Sequence, residues 1–442
     1  MSEVVITGVG VVSPFGIGLA PFFAGLRAGG CAVGPIRHFD ASALPVQVAG
    51  EVPLPFRTCA PCALPLMQLC QTRLGIILDE RSQAALYQAD HAGALADRKV
   101  VFATLAALEA WRDAGCGEAE RRAPSYLGLG LELGLLDDLT DLLDAQGGGP
   151  LDFDRDRGEP LVRLRAPVDL GASVVRRLLG LQAAAVVNVS ACAAGALAIA
   201  DAAALIRRGH AQVVLCGGAD SMVNPLGLGG MARLGAPSPR AAADACRPFD
   251  RRRDGLVIGE GAALFVLEAA ERAAARGARV YARVLGWGST QDGYRVTAPR
   301  PDGSQAARAM QQALRRAGVS PDGDAVGYIN AHGTGTPLND PAEAHAIAAV
   351  FGDRTPELPV SSIKGAVGHL MAAAGALELA ACLLAFTDDL LPGTAHHREP
   401  DPDCPIRVLG PGPQPARIEV ALSNSFGFGG QNACLAIGRP RP

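Results

Sequence analysis

Twice in this chain a short apolar run leads into a cluster of small residues and then into an alanine-rich stretch with helical spacing. In the first instance Ala185 to Val189 reads as a buried strand, Cys192 to Gly195 supplies the turn, and the helix runs to Arg208. Arg207 and Arg208 in the last turn, with Gly209 beyond, match a helix C-terminus. Gln212 to Cys216 reads as the next strand, ended by Gly217-Gly218, an order that gives parallel pairing. In the second instance Leu358 to Ser362 is the strand, a glycine-spaced loop passes through Gly368, and a helix begins near His369. Before it lie a strand from Val326 to Ala331 and a helix with Asp340 as N-cap, Pro341 in the first turn and Glu343 as reciprocal cap. A unit that recurs in this way predicts an internally duplicated α/β fold.

The division is expected between residues 257 and 258, with Cys192 in the first half and the two histidines in the second. Stretches near 53–97 and 147–165 break the pattern and read as excursions from one compact unit. Hydrophobic residues at 49% and charged residues at 19% belong to a globular chain. A net charge of -4 supplies no broad basic field for nucleic acid and no polybasic patch for a membrane. Leu181 to Ala200 and Gly368 to Phe386 are apolar, but with Asn188, His369 and Glu378 inside them they read as buried helices. The amino end has no basic region before its apolar stretch and turns at Gly8, so the cytosol is the expected compartment.

Nucleotide chemistry is not indicated. Gly128 to Gly134 has the wrong glycine spacing for a dinucleotide fingerprint, and no Gly-Lys-Ser/Thr occurs. The 11 cysteines show no framework spacing and read as reduced thiols. Cys59 and Cys62, with Cys70 and His91 downstream, lack both complete zinc spacing and a thioredoxin-like setting, and no metal is expected.

Candidate chemistry gathers at four places. Cys192 lies in a strand-to-helix turn among Ser190, Ala191, Ala193, Ala194 and Gly195, where a helix N-terminus favours thiolate and free amides can hold an oxyanion. These facts alone also fit a small core cysteine. His332 enters a Gly-Thr-Gly-Thr loop with Thr334 and Thr336, and His369 sits where a helix start disfavours imidazolium, so its ring should be neutral. Of 40 basic residues only Lys99 and Lys364 are lysines, a count that fits a compact ammonium being wanted at position 364 and, taken alone, fits chance equally well. Near the carboxyl end, Asn424 to Asn432 alternates aromatics with glycines after a strand from Glu419 to Leu422.

With these residues assembled, the chain resembles the beta-ketoacyl-acyl carrier protein synthases, elongating type I/II, of the thiolase-like superfamily. The likeness runs through Val4 to Pro14, Asp97 to Gly117, the Cys192 turn, Arg247 to Glu268, His332 to Glu343, Ser361 to Glu378 and Asn424 to Asn432. It implies a thiolase-like five-layered αβαβα fold with two duplicated halves. It makes Cys192 the acyl-accepting nucleophile, with His332 and His369 stabilising the enolate left when malonyl thioester loses carbon dioxide. Lys364 and Glu378 match a pair that organises the histidines. The amides of Cys192 and Phe428 match an oxyanion hole, Phe428 and Leu131 the acyl pocket, and Thr334 and Thr336 the contacts of a pantetheine arm. No resident cofactor is implied, since phosphopantetheine arrives on the acyl carrier protein. The partner chain is either a second copy or a chain-length-factor-like subunit.

Two other readings belong beside this one. A noncatalytic chain-length partner would keep the fold, but Cys192, His332 and His369 are all retained. A degradative thiolase needs a second cysteine near the carboxyl end, and Cys434 lies beyond the glycine loop without that context. Pro53 to Ala96 is longer than the family's usual segment before the helix at Asp97, and Leu131 and Glu132 alter the family's glycine-rich stretch, so carrier docking and chain length are left open.

Overall fold

A computed structural model describes residues 2–56, 62–130 and 168–441. Its frame is ten strands and six helices in a repeated order. The first set comprises β1 (Val4–Ser13), α1 (Arg98–Asp113), β2 (Ser125–Leu129), α2 (Leu170–Leu179), β3 (Ala185–Asn188), α3 (Ala194–Arg207), β4 (Val213–Ser221) and β5 (Glu260–Ala269). The second comprises β6 (Ala282–Gln291), α4 (Ser304–Ala317), β7 (Val326–Asn330), α5 (Asn339–Phe351), β8 (Pro359–Ser361), α6 (Ala374–Thr387), β9 (Val420–Gly427) and β10 (Gln431–Gly438).

In space the first five strands run β3-β2-β4-β5-β1 and the second five β8-β7-β9-β10-β6, the same order once each number is raised by five. Strand directions agree as well. β2 is parallel to β3 and β4, as β7 is to β8 and β9, and the remaining pairs in each set are antiparallel. Val4 to Ile6 of β1 pairs with Ala282 to Val284 of β6, which joins the two sets. β5 hydrogen-bonds to β4 and β1, so the first set closes at Ala269, beyond a division at 257.

Three apolar clusters separate the layers. One lies between α1, α2 and the first five strands, one between α4, α5 and the second five, and the largest surrounds α3 and α6 between the sheets. Strands covered on both faces cannot alternate polar with apolar. Accordingly β1, with sequence VVITGVGVVS, is buried at every position. The layers are thus α, β, α, β, α, with α3 and α6 in the middle.

Several local expectations need correction. β3 is an edge strand with Ala185 and Val186 exposed, because a β-branched run does not distinguish an edge from a centre. β4 continues through Gly217 and Gly218 to Ser221. A Cβ on Gly217 would stand 2.2 Å from the Ala263 oxygen, so here glycine admits a neighbouring strand where a turn was expected. α6 starts at Ala374, after a 3-10 turn at Met371–Ala373, five residues beyond His369. The stretch after Pro53 holds helices Ala63–Leu69 and Glu80–His91, whose Leu66, Leu69 and Leu86 join the core against α1. The 147–165 stretch lies outside the described residues. Among the described residues no helix is long and apolar enough to cross a membrane.

Candidate active site

Each central helix is entered by the same bend. Before α3 comes a 3-10 turn Ala191–Ala193 with Ala191 at φ 47°, and before α6 the turn Met371–Ala373 has Met371 at φ 47°. Left-handed backbone at non-glycine residues costs about 1–3 kcal/mol and persists only where surrounding structure enforces it. The first bend carries Cys192, and the second leaves His369 two residues ahead of Met371.

Cys192, His332, His369, Thr334, Thr336 and Phe428 line one cavity of about 290 Å³. Leu131 lies outside the described residues. Cys434 is fully buried in β10, away from the cavity lining, so it offers no second thiol there. Cys59 is outside the described residues, and among those described no cluster of three His, Cys, Asp or Glu could hold a metal.

The electrostatics differ from the expected thiolate. Burial pushes the Cys192 thiol up to about 11, although the Lys364 charge and a hydrogen bond from the Phe428 amide both act to lower it. Withdrawal from water outweighs the turn's dipole, and the resting sulfur keeps its proton. Both imidazoles are neutral, but for His369 the cause is burial and not a helix start, which lies five residues further on. Burial, helped by the nearby Lys364, holds His332 and His369 well below the ordinary histidine range, so both rings are neutral at pH 7.

The hydrogen-bond pattern assigns their tautomers. The Met371 amide donates to Nδ1 of His369 at 3.2 Å, which leaves the ring proton on Nε2. Nζ of Lys364 lies 3.3 Å from Nδ1 of His332, and an ammonium has donors only, so here too the proton sits on Nε2. The rings meet edge to face with centroids 5.2 Å apart. Lys364 is buried and also donates to the His332 carbonyl and to Oε1 of Glu378. Its three donors therefore have three acceptors, which explains why a planar guanidinium would not serve at this position.

Two carboxylates expected to cap α5 do something else. The helix begins at Asn339, before Asp340, so Asp340 lies inside the first turn. Oε1 and Oε2 of Glu343 accept from the amides of His332 and Gly333, each at 2.8 Å, and Asn424 donates to Oε1 at 3.1 Å. Asp340 accepts from the amides of Thr334 at 3.1 Å and Phe249 at 2.7 Å. The helix start thus grips the histidine loop rather than itself. An acidic pair three residues apart, just after a Gly-Thr loop full of unpaired amides, was the signal available. Thr334 and Thr336 share a hydrogen bond of 2.8 Å at the cavity wall.

Doubled five-strand sheets around two central helices, with a cysteine at one entry bend and two neutral histidines beside the other, define the thiolase-like class. Residues 70–273 match the family model for the beta-ketoacyl synthase N-terminal domain, and residues 281–398 that for the C-terminal domain. The chain belongs to the beta-ketoacyl synthase family. It is 36% identical to 3-oxoacyl-[acyl-carrier-protein] synthase 2 of Synechocystis sp., covering 98% of this chain and 97% of that one. Against the tetracenomycin polyketide synthase ketoacyl synthase alpha subunit of Streptomyces glaucescens it is 35% identical, covering 99% and 97%. Among solved structures, the ishigamide ketosynthase/chain length factor matches with TM-score 0.80 at 34% identity, covering 100% of both chains. A type II polyketide synthase acyl-carrier protein in complex with its ketosynthase matches with TM-score 0.81 at 28% identity, covering 99% and 100%.

Proposed function

We propose that this chain is a beta-ketoacyl synthase that extends a thioester-bound acyl group by decarboxylative Claisen condensation with malonyl-acyl carrier protein. The observation that carries the reading is the Cys192 sulfur sharing one cavity with two imidazoles, each with Nδ1 engaged and Nε2–H available.

The sulfur of Cys192 attacks the carbonyl of an acyl carrier thioester. The amides of Cys192 and Phe428 hold the oxyanion, and the carrier thiolate leaves with the thiol proton. Malonyl carrier then binds with its pantetheine arm along Thr334 and Thr336. Its bond to the carboxylate breaks, carbon dioxide departs, and the electron pair enters an enolate whose oxygen accepts from Nε2–H of His332 and His369. The enolate carbon attacks the Cys192 thioester, the carbon–sulfur bond breaks, and a 3-oxoacyl thioester two carbons longer leaves on the carrier. Both donors act on charge that exists only along the reaction path, where losing one costs about a hundredfold or more. Lys364 and Glu378 position the rings, Phe428 borders the acyl pocket, and the chemistry calls for no resident cofactor.

Carrier protein is the macromolecular substrate, a reading supported by the ketosynthase complex named above. The outer edge of β3, with exposed Val186 and with Val189 just beyond the strand, is a surface for a second chain, either another copy or a chain-length-factor-like subunit. The reading places the enzyme in the cytoplasm. The test is intact-mass measurement after incubation with acyl carrier proteins of different chain length. One acyl adduct on the parent and none on Cys192→Ala is expected. An adduct that persists in the variant, or a parent that takes none, would overturn the assignment.

A further inference from the structure

Ala372, the residue after the left-handed corner at Met371, stands where Cys192 stands after the corner at Ala191. Its amide donates to Oδ2 of Asp220 at 2.9 Å, and the Ser221 amide donates to Oδ1 at 2.8 Å. Asp220 belongs to β4, in the first half of the chain, and is buried. Withdrawal from water pushes its carboxyl up to about 6, with the Lys99 charge and the two amides opposing, so it is an anion at pH 7 and above. Room for that carboxylate is left by Gly130, just past β2. A Cβ on Gly130 would stand 2.2 Å from Oδ1 of Asp220 and 2.4 Å from its Oδ2.

The second corner bears on the chemistry through His369. The backbone of His369 is fixed on its own account, its amide donating to the Val257 carbonyl at 2.7 Å and its carbonyl accepting from the Gly259 amide at 2.8 Å. Its ring depends on the corner, because Nδ1 accepts from the Met371 amide. Left-handed Met371 persists only where its surroundings enforce it, and the peptide that follows it is the one Asp220 clamps. Two consecutive amides thus leave one strained residue, the first serving an imidazole and the second a carboxylate. Releasing the second lets Met371 relax toward ordinary backbone angles, which turns the first away from Nδ1. Without that donor the ring proton is no longer confined to Nε2.

We propose that Asp220 is a positioning residue for the condensation, holding His369 in the tautomer that presents Nε2–H to the enolate by anchoring the Met371 corner from the opposite half of the molecule. This role rests on the reaction proposed above. Asp220 does not line the reaction cavity, so it acts on the enolate through the corner. Its charge acts to raise the Cys192 thiol, so its removal does not slow acyl transfer.

Two half-reactions of the full-length protein separate this role from a structural one. Asp220→Ala should lower carbon dioxide release from malonyl carrier protein at least about tenfold, short of the roughly hundredfold expected for loss of the ring, while Cys192 accepts an acyl group at the parent rate or faster. Asp220→Asn keeps an oxygen for the Ala372 amide and should recover most of the loss. Gly130→Ala leaves both partners in place but displaces the carboxylate, so it should repeat the Asp220→Ala split even if that variant does not fold. In protein carrying isotopically labelled histidine, long-range proton–nitrogen correlations should show Nδ1 of His369 bare in the parent and partly protonated in Gly130→Ala, with His369→Ala identifying the signals. Carbon dioxide release within twofold of the parent in the folded Ala variants, both half-reactions falling together, or an unchanged His369 tautomer would overturn the proposal. A parent that shows neither half-reaction would instead sink the condensation reading, and the ring-nitrogen signals would still decide the role of Asp220.

Discussion

Gly195 and Gly375 hold the same place in the two halves, the second residue of α3 and of α6, and each lies against the opposite helix. A Cβ on Gly195 would stand 2.8 Å from the Ala372 oxygen and 3.2 Å from Cβ of Ala376. One on Gly375 would stand 2.9 Å from Cβ of Ala196. The two helices therefore start in contact, and that contact brings residue 192 and residue 369 to one cavity. Gly195→Ala and Gly375→Ala should each destabilise the fold by about 1–3 kcal/mol, the usual cost of overpacking. Thermal melting checks this, and an unchanged Tm in both variants would mean that the crossing is not tight.

Lys364 should not tolerate arginine. The ammonium serves three acceptors in a buried space, and a fork-shaped guanidinium cannot reach all three. Lys364→Arg should lower carbon dioxide release from malonyl carrier protein by about a hundredfold, through the histidines it positions. A rate within twofold of the parent would remove Lys364 from the site.

The histidines and the cysteine should separate by half-reaction. His332→Ala and His369→Ala should each lower malonyl decarboxylation by about a hundredfold yet still accept an acyl group on Cys192. Intact mass and carbon dioxide release, measured on the same preparations, distinguish this from general damage, in which both signals would fall together.

Stability should depend on pH through Glu109 of α1. Its carboxyl accepts from the amides of Val11 and Leu19, each at 2.8 Å, and burial pushes it up to about 7 from an ordinary 4.5. A raised carboxyl favours the fold when protonated, so that contribution is complete below 4.5 and lost as pH rises through about 7. Glu109→Gln is neutral throughout. The unfolding free energy of the parent minus that of the variant should therefore fall between about pH 4.5 and about pH 7 in urea titrations. A difference independent of pH would contradict the assignment.

How far the sequence reached depends on the kind of information involved. The bend at Cys192, the ring at His332 and the doubled strand-turn-helix unit were legible because small residues, glycines and alanines mark backbone geometry directly. Glu343 and Asp340 were misread because capping is a local pattern, whereas their true partners, the amides of His332 to Thr334, approach only through the fold. The thiol's proton was misjudged for a similar reason. A helix start is visible in sequence, but the withdrawal of Cys192 from water is a property of the closed cavity. Gly217 and Gly218 looked like a stop because their reason for being glycine, the close backbone of Ala263 and of Ala372, lies outside their own segment.

The paired bends at Ala191 and Met371 have one more implication. Residue 372 corresponds by position to residue 192, yet it is alanine, and its amide donates to Asp220 at 2.9 Å, an internal strut between the halves. The second corner carries no reacting group; its backbone braces instead, the amide against the first sheet and the Ala372 oxygen against the start of the helix that follows Cys192.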